Sequence, residues 1–198
     1  MSIASEILPD VVSEIVSQHP EAVFYVSSVP LASMIQSLVH GDIDFAFHTR
    51  PLDHPGLTNK RIAAVPQVAV MAAHHPLAQK EALSVSDFEG QRIITSTRSD
   101  PSYHYFSQLW RDNSVSVKTV LQSPFANFAI QMVETMSAVT FNNALVAKRM
   151  CSRDPRLKMK AVVGVDLETP FYLACADWQK ESDTGAMLAS AFCKNMAE

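Results

Sequence analysis

Apolar positions along this chain alternate between two periods. Ile3, Ile7, Leu8, Val11, Val12, Ile15 and Val16 recur at helical spacing behind Ser2, a residue able to cap a helix. Pro9 falls inside that segment, where it removes a backbone donor, and Pro20 bounds it. Residues 22–29 then read as a strand, 31–40 as a helix ending at Gly41, and 43–48 as a short buried strand. Residues 49–60 carry two prolines and a glycine and read as a loop. Two strand-like runs, 61–65 and 67–73, are separated by Pro66, and 84–88 reads as a capped turn before Gly90.

The same rhythm continues downstream. Strands are predicted at 92–96, 115–121, 138–141, 158–165 and 171–176. Helices are predicted at 102–111, 124–134 with Pro124 in its first turn, and 142–150. A last helix, capped by Asp183, carries Met187, Ala191 and Phe192 on one face. Strands alternating with helices predict an α/β fold with parallel sheet and right-handed crossovers. Prolines lie between strand-like runs near Val65-Pro66-Gln67 and Glu168-Thr169-Pro170. These are read as hinge crossings that join two Rossmann-like lobes: residues 1–66 plus 169–198, and residues 67–168.

Bulk properties narrow the function. At 47% hydrophobic residues the chain can bury a dense core, and its net charge of −4 argues against direct nucleic-acid binding. No apolar run approaches the ~18 residues of a membrane span, and no signal peptide is evident. Cys151, Cys175 and Cys193 suit neither a disulfide framework nor a zinc site. They read as reduced, mostly buried thiols of a cytoplasmic protein. There is no nucleophile elbow, P-loop, dinucleotide fingerprint or His-Glu-x-x-His, so no enzyme, cofactor or metal is called for. His74 and His75 are adjacent, so on a strand they face opposite ways, and a turn role fits them better than a metal.

The ordered set of motifs resembles the effector-binding domain of LysR-type transcriptional regulators. Ile7-Leu8-Pro9 followed by His19-Pro20 looks like that family's opening. Gly41-Asp42-Ile43-Asp44 matches its glycine-x-hydrophobic-aspartate signature, and His75-Pro76-Leu77-Ala78 its His-Pro-Leu-Ala turn. Ser84-Val85-Ser86-Asp87-Phe88 looks like the short helix that follows. Two departures stand out. The family normally has a strand just before the first helix, and this chain begins too late to hold it. Thr135 and Ser137 stand where the family often has glycines. The family's winged helix-turn-helix is absent from these residues, so DNA is expected as a partner only through such an N-terminal domain.

The resemblance implies a periplasmic-binding-protein-like (type II) fold in which a small organic anion binds between the lobes. Strand ends and helix N-termini in open α/β sheets suit such a ligand. Ser2, at the start of the first helix, matches a ligand-contact position of the family. Ser28 and Pro30 lie at the next strand-to-helix turn, and Thr95, Ser96 and Thr97 form a hydroxyl-rich rim. Phe141 and Asn142 lie at a later turn. Arg98 and His104 are candidate charge partners, with His48 and Arg50 weaker ones. Capping competes as a role for every hydroxyl in this set. A turn or packing role is expected for Asp44. The resemblance also implies a homodimer or higher homo-oligomer, with residues 31–40 and 124–134 as candidate interface helices. A transporter's solute-binding protein, which shares the two-lobe architecture, is the alternative.

Overall fold

The structure is a computed structural model and describes residues 2–197. The chain divides into two compact units: residues 66–168 with Ser2 form one, and residues 3–65 with the segment from Thr169 onward form the other.

The first unit holds α1 (Ser2–Gln18), α2 (Leu31–His40), β1 (Phe45–His48), most of β2 (Leu57–Ala72), β7 (Glu168–Ala176) and α6 (Asp183–Ala197). Pro9 is accommodated within a continuous α1, which buries Ile7, Val11 and Ile15. β1 runs antiparallel to β7, with Phe45 opposite Cys175 and His48 opposite Tyr172. Phe47 lies between the rings of Phe171 and Phe192, at centroid distances of 5.2 and 4.7 Å. Leu38 of α2 packs with Ala46, Leu52, Leu57, Ala174 and Ala176. Glu14 of α1 accepts hydrogen bonds from Lys194 (2.8 Å) and Asn195 (2.9 Å) of α6. The Lys194 bond holds its carboxyl below the usual carboxylate range.

The second unit adds β3 (Arg92–Thr95), α3 (Pro101–Asp112), β4 (Lys118–Gln122), α4 (Ala126–Thr135), β5 (Val139–Asn143), α5 (Ala144–Arg153) and β6 (Leu157–Lys160). Its sheet order is β2-β5-β3-β4, with β6 also on β2. β3 is parallel to β4 and β5, whereas β2 is antiparallel to β5 and β6. The sheet is therefore mixed, not purely parallel, because β2 and β6 enter it outside the strand–helix–strand rhythm. The core gathers Met71, Leu77, Leu83, Phe88, Ile93, Phe106, Trp110 and Val139. The fold is of the mixed α/β, type II periplasmic-binding-protein-like kind.

Several local expectations are corrected. Residues 22–29 form no strand. A strand exists only as a ladder, and no strand among the described residues pairs with this segment. Tyr25 is consequently 94% exposed, and Val23 and Val26 are exposed as well. The runs around Pro66 are one strand, β2, which starts at Leu57 inside the expected loop. Pro66 lacks a donor, and its ladder pairing with β5 begins one residue later, at Gln67. The strand predicted at 158–165 stops at Lys160. The helix α4 starts at Ala126, after Phe125 at its cap, so Pro124 lies outside it. The final helix is capped by Ser182, whose Oγ accepts from Gly185 N at 3.1 Å, and Asp183 sits in its first turn. Of the three free cysteines only Cys175 is buried.

Three helices end in the same hydrogen-bonded motif. After α2, Gly41 N donates to Leu38 O and Asp42 N to Ser37 O, with Gly41 at φ +78°. After α3, Ser114 N donates to Arg111 O and Val115 N to Trp110 O; after α4, Ser137 N donates to Glu134 O and Ala138 N to Val133 O. This paired pattern demands a left-handed residue, normally glycine. Ser114 and Ser137 nevertheless occupy it, at φ +55° and +45°. A non-glycine residue in that conformation costs about 1–2 kcal/mol, and glycine's greater unfolded-state entropy offsets ~0.4–1 kcal/mol. Ser137→Gly should therefore stabilise the protein by about 0.5 kcal/mol in urea unfolding. Phe88→Ala should cost about 3–5 kcal/mol, because that ring is fully buried.

Candidate functional site

The candidate site lies in the second unit, at the carboxyl end of β3. One extra residue, Val120, bulges out of the β3–β4 pairing, between the pairs Ile93–Thr119 and Ile94–Leu121. Pairing resumes through Thr95 and Gln122, and Thr95 O accepts from Ser123 N at 3.0 Å. The chain then turns into α3. Asp100 N donates to Thr97 O at 2.9 Å, and the Asp100 carboxylate caps the helix by accepting from Ser102 N at 2.8 Å. Pro101 follows at the first helical position, where its missing donor costs nothing.

This turn brings hydroxyls together. Ser102 Oγ donates to Asp100 Oδ1 at 2.6 Å and lies 2.8 Å from Ser96 Oγ. Thr97 Oγ1 and Ser99 Oγ are 3.1 Å apart. Thr95, Ser96 and Ser102 edge a cavity of about 50 Å³ whose apolar wall is Ile93, Ile94, Phe106, Trp110 and Phe141. Phe106 and Phe141 pack at 4.4 Å between centroids, and Phe88 backs both Trp110 and Phe141. The aromatic wall is thus part of the core and holds the cavity's shape.

The remaining predicted residues fall in several places. Arg98 and His104 are exposed, and His104 meets Tyr103 edge to face at 5.5 Å. Phe141 lies within β5, opposite Ala69. Asn142 is also a strand residue and is buried; its Oδ1 accepts from Asn143 N (3.0 Å) and Asn143 Nδ2 (3.2 Å). The strand-to-helix turn expected at Phe141 and Asn142 comes later, where Asn143 caps α5 through Val146 N. In the first unit, Ser28 is exposed, and Pro30 precedes α2, accepting from Ser33 N and Met34 N. Ser2 opens α1, and its side chain lies outside the described residues.

The weaker candidates serve turns. His48 Nδ1 lies 3.1 Å from both Arg50 N and Arg50 O, and Asp44 accepts from Gln179 Nε2 at 2.8 Å. His75 Nδ1 accepts from Leu77 N at 3.2 Å, which caps the short helix Pro76–Gln79. Among the described residues no cluster has the makings of a metal site, and no helix is long and apolar enough to cross a membrane. A larger hollow of about 360 Å³ in the first unit is edged by Leu31, Ile35, Arg50, Pro51, Leu52 and Asp53. It lacks the convergent hydroxyls of the β3 site.

Asp100, Ser102, Phe106 and Trp110 were not among the predicted site residues. Asp100-Pro101 carries a readable helix-start signal. Nothing in the sequence shows that Ser102 turns back onto Ser96.

Comparison with known proteins places the chain. The LysR substrate binding domain family model matches residues 1–185, and the chain belongs to that family. It is 28% identical over 90 residues to the transcriptional regulator AlsR of Bacillus subtilis, covering 46% of this chain and 30% of AlsR. It is 27% identical over 100 residues to the transcriptional activator LysR of Escherichia coli, covering 50% of this chain and 32% of that protein. The BenM effector-binding domain, solved with its effector benzoate, has a TM-score of 0.79 at 17% identity, covering 96% of this chain and 86% of that one. The CcmR regulatory domain of Synechocystis, solved with 2-PG, has a TM-score of 0.78 at 12% identity, covering 98% and 92%.

The histidine turns generate a pH prediction. Burial lowers the pKa of both His75 and His48 below the ordinary value of about 6.5. The acceptor Nδ1 of His75 requires a neutral ring, so this stability is full above pH ~6.5. It is lost as pH falls and the unfolded state alone takes up the proton. Asn at position 75 can accept from Leu77 N without titrating. His75→Asn should therefore lose less stability than the parent between pH 7.5 and pH 5, measured by urea unfolding at each pH.

Proposed function

We propose that this chain senses a small organic anion on behalf of a LysR-type regulator. The observation that carries the reading is the built hydroxyl edge at the end of β3, set over an aromatic cavity. Membership of a substrate-binding family supports it, as does the fold shared with domains solved with benzoate and 2-PG. Arg98 makes no ion pair among the described residues and can grip a carboxylate with two parallel hydrogen bonds. Thr95, Ser96, Thr97 and His104 supply further polar contacts, and Phe141 apolar surface. Ser28 and Pro30 are the proposed contacts from the first unit, and Ser2 is a proposed contact from the start of α1. Asn142 contributes only through its amide nitrogen, because its oxygen is engaged with Asn143.

The effector acts by preferring one arrangement of the protein over another. DNA binding belongs to a separate N-terminal domain of the cytoplasmic regulator. Self-association runs through α2 and α4, the latter capped by exposed Phe125 and carrying exposed Phe128. Homology to two transcriptional regulators favours this reading over a transporter's solute-binding protein.

A thermal-shift screen against small organic acids, amino acids and aromatic carboxylates tests the reading. Ligand at a hundred times its Kd should stabilise the fold by about 2.7 kcal/mol. The rise should be dose-dependent, confined to one chemical class, and reduced in Ser96→Ala and Arg98→Ala. A folded protein indifferent to the whole panel would count against it.

A further inference from the structure

The hydroxyls at the β3 site have a fixed direction. A serine carries one proton and two lone pairs. Ser102 gives its proton to the Asp100 carboxylate, which as an anion only accepts. The 2.8 Å contact between Ser96 and Ser102 must then be made with the Ser96 proton. Ser96 has no other hydrogen-bond partner among the described residues, so what it offers the cavity is lone pairs.

From this polarity, and resting on the sensing role above, we infer that Ser96 selects effectors that carry a hydrogen-bond donor beside a short apolar group. The donor is a hydroxyl, because the cavity lining carries no carboxylate to balance an ammonium, and the ligand class is a small hydroxy acid. A carboxylate on Ser96 would have to pull its proton away from Ser102 and leave that oxygen short of a donor. The anion's charge therefore belongs elsewhere, at Arg98 in the sensing proposal. Size points the same way. A cavity of about 50 Å³ takes a methyl or ethyl group, whereas benzene fills one of roughly 150 Å³. With Phe106, Trp110 and Phe141 stacked into the core, the wall does not readily yield room for a ring.

The test is isothermal titration of the 198-residue protein with matched pairs that differ by one hydroxyl: lactate against propionate, and 2-hydroxybutyrate against butyrate. One hydrogen bond should favour the hydroxy acid by roughly 2- to 12-fold in Kd. Ser96→Ala should abolish that preference, and Ser96→Thr, which keeps the hydroxyl, should retain it. Ser102→Ala frees the Ser96 proton and should shrink or reverse the preference; the Asp100 cap on the Ser102 backbone survives that change. Equal affinity within each pair, or a preference that survives Ser96→Ala, overturns the inference and leaves the sensing role standing. No heat of binding from any member, with the protein folded by circular dichroism, counts against both.

Discussion

The aromatic packing of Phe88, Phe106, Trp110 and Phe141 governs what the second unit can do. Phe106 and Trp110 sit one helical turn apart on α3, and Phe141 comes from β5. Their mutual contacts fix how α3 lies against the sheet. That placement carries Ser102 back to within hydrogen-bonding distance of Ser96, which β3 has delivered. The cavity and its polar edge are therefore consequences of core packing, not of a loop free to move. Truncating one of these rings would enlarge the cavity and loosen the helix that bears its hydroxyls.

Elements governed by local rules were legible in the sequence. The helix over 31–40 and its Gly41 terminus follow from periodicity and from the conformational freedom of glycine. The His75 turn and the capped turn at Ser84 follow from proline and side-chain capping. What failed depended on partners. Residues 22–29 have strand-forming side chains, yet β-propensity expresses packing against a paired neighbour, and no strand among the described residues pairs with them. Pro66 looked like a break because proline lacks a donor, but a strand survives where ladder pairing begins just past it. Ser114 and Ser137 were equally opaque. Only the hydrogen bonds of α3 and α4 reveal serines doing the work of glycines.

The candidate site shows the same division. Thr95 through Thr97 could be read as a strand end facing a helix start, since both elements were predictable. The competing role for each hydroxyl was capping, and the structure assigns capping of α3 to Asp100, leaving Ser96 on the cavity edge. Asn142 went the other way: its carbonyl oxygen is committed to Asn143, which in turn caps α5. A hydroxyl or amide read from sequence has undetermined proton direction. Direction enters only when its neighbours are known.

Asp100 shows how stability and recognition can share one group. Its carboxylate satisfies an orphan donor at the start of α3, a role worth about 0.5–2 kcal/mol at typical caps. The same oxygen takes the Ser102 proton and orients the next hydroxyl along. Under the proposed selectivity, capping and recognition reinforce each other: whatever holds α3 in place also holds Ser96 as an acceptor. A mobile serine could turn its proton toward either a donor or an acceptor and discriminate little between them. A serine tied through Ser102 to a helix-capping anion cannot do so without giving up a hydrogen bond, and that loss is a physical basis for selectivity.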